Sequence, residues 1–390
     1  MTDAAAAPSH EARTVPNGGP PPDAPRPVRA GDELDAARLT PYLAAHVAGW
    51  EDVRAADLAV AQFGGGFSNL TYLVTAGARE VVLRRPPHGE RGGNAHDMAR
   101  EYRLLAALRP AYDRAPRPLA LCGDDAVLGA PFYCMERVRG VVLRGRPGEF
   151  VPPPAACAAL AERFVAELAA LHALDWRALG LAGVGRPEGY AARQVAGWTR
   201  RWHAARSEHV PEVEQAAAWL AAHRPAEPAD AAAHAALLHN DFKYDNFVLD
   251  AESLARGAPT VRAVLDWEMA TVGDPLMDLG ASLAYWLEPE DPPALRALGL
   301  GLTAAPGSPR RAELVAAYGR TTGRDVADAR WYYVFGVFRL AVVAQQLYAR
   351  HLAGHARDPR FAALGAAVAA LGTQAERAIV TGRLSASSAG

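Results

Sequence analysis

Two textures follow one another along the chain. From Leu58 to about Val138 the apolar positions come in short runs of strand length. Leu58 to Phe63, Leu70-Thr71-Tyr72-Leu73-Val74 and Val81-Val82-Leu83 are rich in branched and aromatic residues. Ala76-Gly77-Ala78, between the last two runs, predicts a hairpin turn. Met98, Tyr102, Leu105 and Leu108 then recur at helical spacing, and Pro110 stops that helix. Phe132-Tyr133-Cys134-Met135 reads as a further buried strand. From about Pro152 onward the period becomes helical, with Leu160, Phe164, Leu168 and Leu171 on one stripe and a strongly apolar helix from Trp331 to Leu347. Two strand-like pieces interrupt that half, Phe247-Val248-Leu249 and Val261-Arg262-Ala263-Val264-Leu265. The order predicts an α+β chain of two lobes, a small β-rich one followed by a larger helical one with an embedded hairpin.

The ends depart from both textures. Residues 1 to 32 are rich in Ala, Pro and Gly, including Gly19-Pro20-Pro21-Pro22, and such a stretch buries too little apolar surface to offset its ordering entropy. We therefore expect a disordered tail over 1–32, a first lobe over 33–138, a second over 139–384, and a frayed end over 385–390. The 390 residues suffice for two cores. With 41 basic and 43 acidic side chains, the bulk charge points to neither nucleic acid nor an anionic membrane as partner. No signal-like segment and no apolar run of membrane-spanning length is found, so a cytoplasmic location is expected. Cys122, Cys134 and Cys157 are too widely spaced for a metal knuckle and too few for a disulfide framework.

Candidate chemistry concentrates in His239-Asn240-Asp241-Phe242-Lys243-Tyr244-Asp245-Asn246 and in Asp266-Trp267-Glu268, on either side of the second-half hairpin. An Asp followed five residues later by an Asn, on a loop leading into a strand, can set a general base and a metal ligand on one rim. A second carboxylate at the end of the next strand completes an oxygen-donor site. Transfer of a phosphoryl group needs this combination: a carboxylate for the hydroxyl proton and oxygen ligands for the cation on the phosphates. The segment resembles the catalytic loop of aminoglycoside-phosphotransferase-type kinases, and on that resemblance Asp241 is the expected base and Asn246 and Asp266 the expected magnesium ligands. Gly64-Gly65-Gly66-Phe67-Ser68-Asn69 lies between two strand-like runs. Gly65 and Gly66 permit close approach of backbone N–H groups to phosphate oxygens, and Ser68 adds a hydroxyl donor. The same run also fits an ordinary hairpin. It is not a Walker loop, since no Gly-Lys-Ser/Thr comes after it.

Together these segments resemble the catalytic loop, metal-binding aspartate and glycine loop of aminoglycoside-phosphotransferase-type kinases, which share the two-lobed fold of protein kinases. The resemblance implies ATP and Mg2+ as cofactors and a small hydroxylated substrate. It makes His239 a brace for the loop and places Lys243 where many kinases carry a lysine that touches the γ-phosphate. It puts Arg84, at the end of the third strand, in the position of the usual phosphate-binding lysine, with Glu101 on the next helix as its carboxylate. That is a departure, because a planar guanidinium is not equivalent to an ammonium point charge. Met135-Glu136-Arg137-Val138 resembles the hinge, where backbone groups of Glu136 and Val138 would meet the adenine edge. Asp274 and Asp278 match the family's Asp-Pro-x-x-Asp turn and are expected to brace the catalytic loop. No Ala-Pro-Glu and no long activation segment lie beyond Asp266, which disfavours a protein substrate.

A narrower resemblance rests on Leu83-Arg84-Arg85-Pro86-Pro87, Ala95-His96-Asp97-Met98, Met135-Glu136-Arg137-Val138 and Leu265-Asp266-Trp267-Glu268-Met269-Ala270-Thr271. These look like the phosphotransferase domain found fused to, or encoded beside, acyl-CoA dehydrogenases. That implies a hydroxyacyl-CoA or related hydroxylated acid as acceptor, and functional pairing with such a dehydrogenase. The alternative is a pseudokinase that binds nucleotide and regulates another enzyme. Trp198, Arg201 and Trp202, with Arg200 and Arg206, fit either a site for a CoA phosphate or pantetheine, or packing with a solvated basic face. His172 reads as a structural histidine.

Overall fold

The computed structural model describes residues 24–64, 69–87, 97–145, 150–295, 301–354 and 359–386. The expected α+β, two-lobed architecture is what it contains. In the first half, α1 (Ala36–His46) precedes the strands β1 (Leu58–Gln62), β2 (Leu70–Ala76) and β3 (Arg79–Arg85). Then come α2 (Met98–Leu108), β4 (Pro118–Cys122), the one-turn α3 (Asp125–Leu128) and β5 (Phe132–Met135). The five strands form one antiparallel sheet in the order β1-β2-β3-β5-β4.

Alternation along β3 decides what each face of that sheet does. Val81 and Leu83 point to the outer core, where Leu39, Leu43, Trp50, Tyr72, Val74 and Phe132 pack around α1. Val82 points the other way, into the core shared with α2 and the helical half. Arg84 comes two residues after Val82 and so lies on that inner side, against α2. The sequence expectation of a hairpin at Ala76-Gly77-Ala78 matches the β2–β3 pairing, in which Ala76 faces Arg79.

The second half holds α4 (Pro154–His172), α5 (Tyr190–Ala205), α6 (Pro211–Ala222), the short α7 (Ala231–His234) and α8 (Ala251–Ala255), and α9 (Pro275–Tyr285). After the short α10 (Pro293–Leu295) come α11 (Arg311–Thr322), α12 (Ala329–Leu352) and α13 (Leu364–Thr381). Four three- or four-residue strands sit among them. Strands β6 (Ala236–Leu238) and β9 (Thr271–Gly273) pair with each other, as do β7 (Phe247–Leu249) and β8 (Val261–Val264). Helices α9 and α12 cross at Gly280 and Gly336, where an added Cβ on either would run into the backbone of the other helix. That close crossing fixes α12 against α9, whose first turn carries Asp278.

Two terminal stretches are more engaged than their composition suggests. Arg26 exchanges backbone hydrogen bonds of 2.8 Å with Gln62, and the Tyr72 hydroxyl donates to the Asp32 carbonyl at 2.8 Å. At the other end, the Ser385 hydroxyl donates to Glu288 Oε1 at 2.7 Å. Among the described residues, no helix is long and apolar enough to cross a membrane.

Candidate active site

The loop after β6 is held by one buried carboxylate. Asp278, on the first turn of α9, accepts from the His239 N–H at 2.6 Å and the Asn240 N–H at 2.8 Å. Burial works to raise its pKa, but His172 and His239 outweigh it and hold the carboxyl below its ordinary range. His172 also meets the Tyr318 hydroxyl at 2.7 Å, as a structural histidine would. Asp274 caps α9 by accepting from the Leu276 N–H and takes a hydrogen bond from the Tyr332 hydroxyl at 2.7 Å. The His239 ring lies 2.9 Å from the Leu265 carbonyl through Nε2 and 3.2 Å from the Asp241 N–H through Nδ1. Burial lowers its pKa against the pull of Asp278 and Asp241, and the ring bridges the loop after β6 to the end of β8.

Clamped this way, the backbone turns sharply at Asn240, whose φ is 64°. The turn presents Asp241 between two partners. Lys243 Nζ lies 3.0 Å from Asp241 Oδ2, and Asn246 Nδ2 donates to Asp241 Oδ2 at 3.1 Å and to its carbonyl at 2.8 Å. Burial alone would raise the Asp241 pKa; the Lys243 ammonium, aided by His239 and Arg339, outweighs it and holds the carboxyl below its usual range. Lys243 is raised in turn by Asp241 despite its own burial. Its ammonium sits 4.7 Å from the Tyr285 ring centre.

Strand register brings the second carboxylate to the same rim. Phe247 pairs with Val264, so Asn246, just before β7, lies beside the residues just after β8. The Leu265 N–H donates to the Asn246 carbonyl at 2.8 Å. Asp266 comes next, with φ 68°. Asn240 and Asp266 are the two non-glycine residues with positive φ among the described residues, and both belong to this site. A left-handed non-glycine backbone costs roughly 1 kcal/mol or more and persists where the surroundings enforce it.

Arg84 reaches the rim from the sheet. Its Nη1 lies 2.9 Å from Glu101 Oε1 on α2, and its Nη2 lies 2.9 Å from Asp266 Oδ1 and 3.3 Å from Glu268 Oε2. Burial opposes the charge, but Glu101, Asp266 and Glu268 keep the guanidinium pKa above its ordinary value. The expected Arg84–Glu101 pair is thus a buried contact and not an exposed one. Glu268, named beside Asp266 in the sequence but given no role there, also accepts from Asn69 Nδ2 at 2.6 Å. Its signal was the Asp-x-Glu spacing, which puts both acids on one short turn.

The hinge residues divide. The Glu136 carboxylate accepts from the Arg117 N–H at 2.8 Å and neighbours Arg109, so its side chain serves the start of β4. The Val138 N–H meets no protein acceptor among the described residues. Gly65, Gly66 and Ser68 lie outside the described residues. Trp202 is packing: fully buried, it donates from Nε1 to Glu214 at 2.9 Å, and Arg206 pairs with the same glutamate. Trp198 lies on the same helix, with the guanidinium carbons of Arg201 and of Arg339 on α12 at 4.4 and 5.4 Å from its ring centre.

A sheet-and-helix lobe that lends a cation to an Asp/Asn/Asp rim on a helical lobe is the arrangement of the kinase-like phosphotransferases, with Arg84 here in the place of their usual lysine. The chain belongs to the Phosphotransferase enzyme family, which it matches over residues 59–314. It is 35% identical over 335 residues to Acyl-CoA dehydrogenase family member 11 of Gallus gallus, covering 84% of this chain and 41% of that protein. The chain therefore spans about two fifths of that relative's length. A provisionally named aminoglycoside phosphotransferase of Ralstonia eutropha JMP134 superposes with a TM-score of 0.71 at 30% identity, over 88% of this chain and 99% of that one. The GDP and kanamycin complex of APH(2")-IIia shares the fold at a TM-score of 0.57 and 17% identity, over 85% and 96% of the two chains.

Proposed function

We propose that this protein is an ATP- and magnesium-dependent phosphotransferase acting on a hydroxyl of a small molecule, a hydroxyacyl-CoA or related hydroxylated acid. The observation that carries the reading is the meeting of Asp241, Asn246 and Asp266 at one rim, beneath Arg84 from the sheet. Asp241 receives the acceptor hydroxyl and takes its proton as the new O–P bond forms, while the bond to the nucleotide's leaving oxygen breaks. Lys243 keeps that carboxylate ionised and, with Arg84, offers positive charge to the phosphates.

The donor set fits magnesium, which favours hard oxygen ligands and few protein groups beside phosphates. Both N–H bonds of the Asn246 amide go to Asp241, which turns its carbonyl oxygen the other way. That oxygen and a carboxylate oxygen of Asp266 would hold the ion, whose chemistry is to neutralise charge on the nucleotide's phosphates.

The short connection after Asp266 supports a small acceptor. A single turn, Trp267–Met269, leads to β9 and then to α9 at Pro275, leaving no platform for a peptide. The dehydrogenase relatives support an acyl acceptor and functional pairing with an acyl-CoA dehydrogenase. A second reading, a nucleotide-binding partner without turnover, draws on Arg84 standing where the family usually has lysine.

The deciding assay measures MgATP consumption and product phosphate against hydroxyacyl-CoAs, sugars, choline and aminoglycosides. Phosphorylation of a hydroxyacyl-CoA that requires Asp241 is the expected result. A thermal shift with MgATP but no turnover on any alcohol would move the conclusion to the second reading.

A further inference from the structure

Two arginines share one indole beside the catalytic loop. Arg339, buried on α12, donates from Nη1 to the Asn240 carbonyl at 2.6 Å, and its guanidinium carbon lies 5.4 Å from the Trp198 ring centre. Arg201, exposed on α5, lies 4.4 Å from the centre of the same ring. Among the described residues neither has a carboxylate within ion-pair distance.

That balance differs from two other buried guanidinium groups, those of Arg84 and Arg311. Arg84 meets three carboxylates, and Arg311 meets Glu288 and Asp291. Buried charge is normally compensated, because desolvation without a partner is costly. Arg339 shares the field of Asp241, which it helps to keep ionised, but neither it nor the exposed Arg201 has a carboxylate within ion-pair distance among the described residues. Partial burial, together with repulsion from Arg339 and Arg200, lowers the Arg201 pKa. An anion between the two guanidinium groups would relieve that repulsion, whereas a cationic acceptor would add to it. Arg339 spends one of five donors on Asn240, and a guanidinium fork suits carboxylate or phosphate oxygens. Trp198 gives both groups a fixed, apolar backing.

We propose that Arg201 and Arg339, backed by Trp198, form the subsite for an anionic group of the acceptor, a carboxylate or a phosphate, and so select negatively charged alcohols. This rests on the reading of the Asp241 rim as a phosphotransfer site and specifies which acceptors that rim serves. Arg339 also positions Asn240, so Arg201 is the cleaner residue to vary.

The test measures phosphorylation by the full chain of 3-hydroxybutyrate, 3-hydroxybutyryl-CoA, butane-1,3-diol and choline. The charged acids are expected to have the lower KM. Arg201→Gln should raise it for them at least about tenfold more than for the diol, the worth of one charge-assisted hydrogen bond. Arg201→Lys should recover part of the loss. Calorimetric titration of the two acids into protein saturated with a non-hydrolysable ATP analogue reads the same site without turnover. Tighter Arg201-dependent binding of the free acid identifies a carboxylate ligand, and of the thioester a CoA phosphate. Equal losses on charged and neutral acceptors, no binding of either acid, or a preference for choline would overturn the subsite. Arg201-dependent binding with no turnover on any alcohol would instead sink the phosphotransfer reading and leave the subsite standing.

Discussion

The Asp266 carboxylate lies 2.9 Å from the Arg84 guanidinium, joining residues 182 positions apart in the chain and on opposite lobes. One oxygen of the expected metal ligand is thus in contact with the expected phosphate-binding cation. The same arginine holds Glu101 and Glu268, so sheet, α2 and catalytic rim share a single buried charge.

Removing that charge should therefore be felt in folding as well as in nucleotide binding. Arg84→Ala leaves Glu101 buried without its partner, and breaking such a pair costs about 3–5 kcal/mol. Arg84→Lys keeps the charge but cannot reach three carboxylates at once. We expect the alanine variant to lose about 3 kcal/mol or more in denaturant titration. The lysine variant should lose less and still bind MgATP. An alanine variant as stable as the parent would show that the cluster contributes nothing net.

Asp241→Asn removes the proton acceptor and keeps the shape of the loop. Turnover should fall by about 10²–10⁴-fold, the range for a lost general base. MgATP binding, read by thermal shift, should persist. Near-parental turnover would exclude Asp241 as the base.

The Asp241–Lys243 contact should set the acid limb of the pH profile. The folded carboxyl titrates below its unfolded value, so its stabilising ionisation is complete above the ordinary carboxylate range and is lost only as pH falls through the lowered pKa. The kcat/KM of the parent should stay level down to about pH 5, a unit above the unperturbed value. Lys243→Met deletes the largest favourable contribution and leaves burial to raise the pKa. The acid limb should then move upward, as steady-state kinetics across the pH range would record. An unmoved limb would mean that a different group sets it.

Much of this was legible from spacing, because the chemistry depends on local order. The helix from Met98 and the strand Phe132–Met135 have the expected bounds, since apolar period and proline punctuation act within a few residues. The Asp-x4-Asn segment and Asp266 could be brought together because a hairpin between them is a short-range event. Less accessible were β6 and β9, three residues each and paired across the whole loop, which no local period marks. Glu268 had no role assigned, and Arg339 was left between binding and packing, for a similar reason: their partners, Asn69 and Asn240, lie 199 and 99 residues away. The Pro- and Gly-rich segment before residue 33 shows the limit of composition, since Arg26 pairs with β1 through backbone groups that composition does not describe.

Asp278 offers the sharpest separation of bracing from chemistry. Its two oxygens accept the His239 and Asn240 N–H groups, and Asn240 sits in a left-handed conformation that nothing in its side chain demands. Asp278→Ala leaves two buried donors unsatisfied, at about 1–3 kcal/mol each, and frees the loop to relax. Asp278→Asn keeps one accepting oxygen and turns an amide N–H toward the other donor, so it should be nearly as damaging. The carboxylate is fully buried against His172 and the loop backbone, so no direct contact with acceptor or nucleotide is expected of it. Both variants should therefore leave the pH dependence of kcat/KM in place while lowering its height, and should speed amide hydrogen exchange at His239 and Asn240. Loss of activity without faster exchange at those two amides would mean that Asp278 acts on the reaction in some way other than by holding the loop.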